Sequence, residues 1–383
     1  MKKDWQKKTL GEVCTVDKNQ GIYKNLPYVG LEQIEAHTGR FIGSTEPLGV
    51  KSATFKFSPE HVLYGRLRPY LNKVMLPDFI GHCSTEIFPL KPRPGLSRKF
   101  LQYWFLREAT VAQIDATSTG ARMPRANMTA VLDFEFPVPP LPEQQRIVRI
   151  LDAAFDGIAT AKANAEKNLQ NARAIFESHL QAVFTQKGEG WEEKRLGEIY
   201  DVRDGTHDSP KYHATGYPLI TSKNLKREGL SFEDVNLICE QDYIKINQRS
   251  AVHKGDVLFA MIGTIGNPTI VTVEPKFAIK NVALFKIPKG HSGRFLKHYL
   301  SSSWVISKMM QEARGTTQKF VGLGYLRDFP INVPPIAKQI EIVESLDDLS
   351  AETQRLESIY KQKLAALDEL KKSMLHDAFR GAL

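Results

Sequence analysis

The chain has 383 residues, 42% of them hydrophobic and 25% charged, which excludes a wholly disordered or fibrous protein and allows two or three domains with real cores. Its 52 lysines and arginines outnumber 43 aspartates and glutamates, a surplus that fits contact with a polyanion and also occurs in proteins that bind none. Three cysteines, Cys14, Cys83 and Cys239, are too few and scattered for a disulfide framework or a zinc site and point to a reducing, cytoplasmic setting.

The start MKKDWQKK is basic but leads into no apolar core, so no signal peptide is expected. No apolar run approaches the ~18 residues of a membrane span. DWQKKTLGEV around Trp5 and LPYVGLEQI from Leu26 come first. FKFS, HVLYG and EIFPL follow, alternating or running apolar over short stretches as strands do. KFLQYWFLREATVAQ from Lys99 has the spacing of one amphipathic helix. A polar loop, STGARMPRANM, and the strand LDFEFPVPP come next. PPLPEQQRIVRIL from Pro139 then opens a long helix near Glu143. Prolines suit that entrance, because an N–H in the first turn would be unpaired anyway. The helix carries Ile147, Leu151, Ala154, Ile158, Ala161, Ala165, Leu169, Ala172, Phe176, Leu180 and Val183 at spacings of three and four. Its one interior glycine is Gly157 and no proline interrupts it.

The order then repeats. GWEEKRLGEI around Trp191, YPLITSKNL from Tyr217, KGDVLFA from Lys254 and RFLKHYLSSSWVISKMMQ from Arg294 match the earlier segments in turn. EARGTTQ around Gly315, RDFPINVPP and PPIAKQIEIVESL from Pro334 complete the copy. The two copies are 186 residues apart at the tryptophans and 195 apart from Val62 onward. The second copy therefore has nine extra residues, expected in the loop GTHDSPKYHATG. A second long helix carries Val343, Leu346, Leu349, Thr353, Leu356, Tyr360, Leu364, Leu367 and Met374.

Apolar seams of that length are coiled-coil seams, and at 1.5 Å per residue each helix reaches roughly 60–65 Å. The second mixed domain begins where the first long helix stops and ends where the second starts. If that domain is compact, the helices run antiparallel. The matching helix ends, HLQAVF from His179 and MLHDAF from Met374, place the C-terminus near Trp5. Ordinary core helices of one large domain would show the same periodicity, but would not follow equivalent domains at a single offset. The expected fold class is α+β. Two mixed α/β domains, 1–138 and 187–333, are separated by an antiparallel two-helix coiled coil, 139–186 with 334–383, in a pseudo-two-fold internal duplication.

Polar side chains collect in a few loops. GRLRPYLNK places Arg66, Arg68 and Lys73 beside Tyr64 and Tyr70, and STGARMPRANM supplies Arg122, Arg125 and Asn127. In the second copy GTHDSPKYH and TSKNLKR supply Lys211, Lys223, Asn224 and Lys226, and RGTTQKF supplies Arg314, Thr316, Thr317, Gln318 and Lys319. Arginine reads guanine edges, Asn and Gln read adenine, and Lys, Ser and Thr hold phosphates. These residues are the expected DNA contacts. A solvated loop has similar composition, but the two post-helix loops agree in location.

No catalytic signature is found. A phosphate cradle GxxxxGK[ST] is absent, and NVPPI and PVPPL do not match the Asn/Asp-Pro-Pro-aromatic motif of amino-methyltransferases. Asp256, Glu274 and Lys276 are types suited to metal-assisted phosphodiester hydrolysis. Asp256 and Glu274-Pro275 read better as turns, and the first copy has His61 and Phe79 there. His82 and Cys83 lack partners at metal-ligand spacing. The chain is expected to be no enzyme and to hold no metal.

Taken together, PPLPEQQRIVRILD, DVRDGTHDSPKY with PLITSKNL, the W-x-x-x-x-L-G-E starts at Trp5 and Trp191, and the helix ends LQAVF and LHDAF resemble the specificity subunit of type I restriction-modification systems. The second helix entrance departs from the motif, with PPIAKQ in place of PPLPEQ, and keeps the prolines and Gln339. The resemblance implies that each mixed domain is a target recognition domain reading one half of a bipartite double-stranded DNA sequence. It implies helices that set the spacing and dock two methyltransferase subunits, which restriction subunits then join. S-adenosylmethionine, ATP and Mg2+ belong to those partners, and none is bound by this chain. A stand-alone DNA-modifying enzyme and a coiled-coil structural adaptor are the alternatives.

Overall fold

The structure is a computed structural model describing residues 4–186, 188–226, 229–315 and 318–383. It divides into two compact units, Met1–Glu166 with Lys361–Leu383, and Lys167–Tyr360.

In the first unit, strand Gln6–Thr9 pairs antiparallel with Glu135–Val138. Thr9 ends that strand and starts the short helix Leu10–Val13 through a capping box with Glu12. The two side chains satisfy reciprocal backbone N–H groups, which holds the Glu12 carboxyl below its usual range. A four-stranded antiparallel sheet follows, in the order Cys14–Val16, Ile87–Pro92, Val62–Gly65, Val74–Met75. All of Val62–Gly65 is buried, which is why that strand reads as an apolar run rather than an alternation. A second sheet contains Gln20–Gly21, Thr54–Phe57, Gly81–Cys83 and Tyr28–Val29, the last pair parallel. Helix Arg98–Leu106, capped by Ser97, lays Phe100, Leu101, Trp104 and Phe105 into the core. Phe105 stacks on Tyr64 at 4.6 Å between ring centroids.

The second unit repeats this plan. Strand Glu192–Arg195 pairs with Pro330–Val333. Its four-stranded sheet is ordered Asp201–Asp204, Val282–Lys286, Val257–Ala260, Gly266–Ile270, and the sheet helix is Gly293–Ser301, capped by Ser292. Val62 faces Leu90 in one unit and Val257 faces Phe285 in the other, each residue shifted by 195. Asp256 is a turn residue, accepting from His253 N at 2.7 Å and from Lys286 Nζ at 2.5 Å.

Two expectations are corrected. The nine extra residues do not share one loop. The amides of Gln33 and Asn224 cap equivalent short turns, bonding Gly30 N and Thr221 N, and these residues are 191 apart. Five insertions therefore precede that turn, in the region of GTHDSPKYHATG, and four follow it. Secondly, each long amphipathic stretch is two helices, Arg98–Leu106 with Glu108–Asp115 and Gly293–Ser301 with Ser303–Glu312. Arg107 and Ser302, again 195 apart, are extended and end the first helix of each pair. Serines near Ser302 offer the backbone competing hydrogen bonds. Arg107 has no such excuse, and its guanidinium lies over the Phe379 ring, so packing sets the break.

The long helices are Leu141–Thr185 and Ile336–Arg380, 45 residues each. In the first unit Ile147, Leu151 and Ile158 are buried. There Arg146 donates to the Leu383 carbonyl, Lys371 lies over Phe155, and Lys162 pairs with Asp368. Numbers rise along one helix as they fall along the other, so the pairing is antiparallel. In the second unit Arg173 meets Glu357 at 3.1 Å, and Leu180 and Phe184 share a core with Val343 and Leu346. Trp5 and Phe379 belong to one core in the first unit.

Candidate nucleic-acid interface

Each four-stranded sheet has two chemically different ends. In the first unit one end, after Pro92, leads into Ser97 and meets the long helix. There the buried Gln144 accepts from Ser97 N at 2.8 Å and donates to the Gly95 and Pro139 carbonyls, both at 2.9 Å. Gln339 does the same in the second unit, accepting from Ser292 N at 3.0 Å and donating to Pro334 O at 2.9 Å. Lys338, which replaces Glu143, pairs with Glu341 on the surface, so the glutamine holds this joint. Beside it, the hydroxyl of Tyr103 bonds Asp152, and His298 Nε2 meets Asp347 Oδ1 at 2.7 Å. Burial, with the Lys297 and Arg294 charges nearby, pushes the His298 pKa down to about 4, so its neutral ring donates to the carboxylate.

The opposite end carries the basic loops. In the first unit the residues after Gly65 meet a hairpin from the post-helix loop. Thr119 and Arg125 exchange backbone bonds of 3.1 and 3.0 Å, Arg68 N donates to Pro124 O at 2.7 Å, and Ala126 N to Arg66 O at 2.9 Å. In the second unit Arg314 and Phe320 exchange bonds of 2.9 and 2.8 Å, Gly263 N donates to Lys319 O at 2.8 Å, and Val321 N to Met261 O at 3.0 Å. Every partner is shifted by 195. Gly120 and Gly315 turn these hairpins with φ of 97° and 99°, a left-handed conformation that favours glycine.

Ten of the expected contact residues fall into four groups. Arg68, Arg122, Arg314, Gln318 and Lys319 are exposed on these two loop pairs. Arg66 and Arg125 lie on the same surface, half-buried and both held by Glu86. Lys211 is exposed in the loop that reaches the same sheet end in the second unit, where His207 Nδ1 and Asn281 Oδ1 are 2.8 Å apart and Lys280 Nζ donates to Ser209 Oγ at 2.5 Å. Lys223 and Lys226 are exposed on the neighbouring turn. Lys226 lines a cleft of about 330 Å³ with Arg294, Lys297 and His298, away from the hairpin. Thr316 and Thr317 lie outside the described residues.

Three expected readers are occupied otherwise. Asn224 is 4% exposed, and its amide bonds Thr221 and Ser231, so it is a turn-forming residue and not a base reader. Asn127 accepts from Thr129 N and Ala130 N as the N-cap of helix Met128–Leu132. Lys73 donates to the Leu31 carbonyl at 2.6 Å. Tyr64 is core, its hydroxyl pKa raised by burial, whereas Tyr70 is 46% exposed.

Side chains at these sheet ends that the sequence reading did not single out are Glu86, Phe88 and, over the Phe88 ring, Lys18 in the first unit, and His207, Lys280, Asn281 and Phe320 in the second. Glu86 and Asn281 are 195 apart, so the repeat offset would have located that pair. No group of metal-ligating side chains forms among the described residues, and no described helix is long and apolar enough to cross a membrane.

A family model described as "Type I restriction modification DNA specificity domain" matches residues 2–170 and 188–366. The EcoDI type I restriction enzyme specificity subunit from Escherichia coli is 29% identical over 183 residues, 47% of this chain and 40% of that protein. This chain thus spans less than half of that relative's length. The EcoKI specificity subunit from Escherichia coli strain K12 is 22% identical over 324 residues, 79% of this chain and 69% of that one. The fold is shared with a solved chain from work on complex assembly and conformational transition of the type I R-M system, at TM-score 0.82 and 21% identity, over 100% of this chain and 99% of that one. It is shared also with the HsdS subunit from Thermoanaerobacter tengcongensis, at TM-score 0.69 and 21% identity, over 100% and 98%. With its two repeats each matched, the chain belongs to the type I restriction modification DNA specificity domain family.

Proposed function

We propose that this chain is the specificity subunit of a cytoplasmic type I restriction-modification assembly, reading a bipartite, asymmetric sequence in double-stranded DNA. The observation that carries this is the doubled loop-and-hairpin surface. Its backbone bonds repeat at 195 residues while its side chains differ. A shared frame with different contact chemistry suits two readers of different half-sites. In this reading the phosphates are met by Arg68, Arg122, Lys211, Lys223, Arg314 and Lys319, whose charge gives salt-dependent affinity.

The long helices set the spacing between the half-sites and dock two methyltransferase subunits. They leave Ile175, Ile336, Ile340, Ile359 and Leu370 exposed, apolar surface of the kind that partner subunits cover. Restriction subunits join that core. S-adenosylmethionine, ATP and Mg2+ are held by the partners, and this chain contributes recognition and no catalysis. Mapping methylated bases genome-wide, with and without this gene, tests the proposal. A gapped motif with unlike halves should vanish with the gene. An unchanged methylation map would overturn the reading.

A further inference from the structure

The two hairpin surfaces share a backbone but differ at four positions that meet in space. The first unit has Arg66, Glu86, Phe88 and Arg125, and the second has Met261, Asn281, Ala283 and Phe320 at the same places. In the first, Glu86 Oε2 accepts from Arg66 Nε at 3.0 Å and Oε1 accepts from Arg125 Nε at 2.9 Å. Arg66 N also donates to Glu86 O at 2.9 Å, and the Arg66 guanidinium lies over the Phe88 ring, 5.2 Å from its centroid.

The two arginines have different freedom. Arg125 uses its Nε and one terminal nitrogen on Glu86 and the other on the Met123 carbonyl at 3.3 Å. Among the described residues Arg66 bonds only through Nε, to Glu86, which leaves both terminal nitrogens of its fork for an outside acceptor. Phe88 beneath the guanidinium and Glu86 at its side restrain its orientation. A planar fork with restrained orientation and two open donors matches two acceptors side by side, which in a major groove are guanine O6 and N7. A lysine at the same place would offer a point charge without that geometry.

We propose that Arg66 is a base-reading residue for guanine, with Glu86, Phe88 and Arg125 as positioning residues, and that the second unit lacks this device. Its Met261 is buried, and its Phe320 is 39% exposed, so the same spot there offers an apolar contact. This inference rests on the chain being a two-part DNA reader. It assigns one guanine to the half-site read by the first unit.

The test uses the tagged full chain, recovered from cells with whatever it assembles with, and a library of duplexes randomised over both half-sites. Sequencing of the bound fraction should show a required guanine in one half-site. Arg66→Lys should lower that preference on the order of tenfold and leave the other half-site as selective as before. Glu86→Gln should relax the same position while affinity for random duplex is kept or raised, because a negative charge is removed from the surface. A merely structural role for Glu86 would not produce that split. Unaltered selection by Arg66→Lys overturns the proposal, and so does loss of selection in both half-sites alike, which would make Arg66 a fold residue. Wild-type protein that selects no sequence in either half would instead remove the underlying reading.

Discussion

Phe379, near the end of the second long helix, packs on Phe100 with ring centroids 4.7 Å apart. Phe184, 195 residues earlier, packs on Phe295 at 5.3 Å. The sheet helix of each unit is thus covered by the end of one long helix, while Gln144 or Gln339 pins the start of the other to its N-cap residue. Each unit closes its core with segments far apart in sequence.

Replacing Phe379 with alanine therefore leaves a cavity in the first unit, costing about 3–5 kcal/mol. Amide exchange should quicken across Arg98–Leu106, and Gly293–Ser301 should keep its protection. Equal loss in both helices would show that the aromatic does not act within its own unit.

Gln144→Ala and Gln339→Ala each leave unpaired a part-buried N–H and a buried proline carbonyl. The expected loss is about 2 kcal/mol, or roughly 4–8 °C in midpoint, read by thermal unfolding. If either variant melts with the wild type, the glutamine does not hold the joint.

His298 is neutral in the fold, with its pKa lowered from 6.5 to about 4 by burial. Between those values the unfolded chain binds a proton that the folded chain does not. Stability is full above pH 6.5 and falls as pH drops through that window, by up to about 3 kcal/mol. His298→Tyr installs the residue that Tyr103 provides in the first unit and should flatten the profile. An unchanged slope between pH 7 and 4 in denaturant titrations would place the acid sensitivity elsewhere.

Inserting four residues, about one turn, between Glu166 and Lys167 should lengthen the spacer of the methylated motif and leave both half-sites as they were. A motif with its original gap would mean that the helices do not measure it.

The duplication, the two long helices and the strand runs were legible in the sequence because their signals are local. An apolar period of 3.6 or a run such as VLYG reflects which faces are buried, and a copy at fixed offset needs no coordinates to find. The two post-helix loops were found in the same way.

What a side chain does there was not legible. Asn224 and Asn127 have the composition of base readers, yet their amides complete turns and caps, because a short polar side chain beside free backbone N–H groups bonds them first. Glu86 looked like one acid among many, and only tertiary structure puts its two oxygens between arginines 20 and 39 residues away. The break at Arg107 was likewise settled by packing, whereas the split of the nine extra residues already shows in the 191-residue offset between Leu26 and Tyr217. Periodicity and repetition are written along the chain, so the sequence alone determined the architecture. Which polar groups remain free for DNA depends on distances between residues remote in sequence, and only the folded chain decides it.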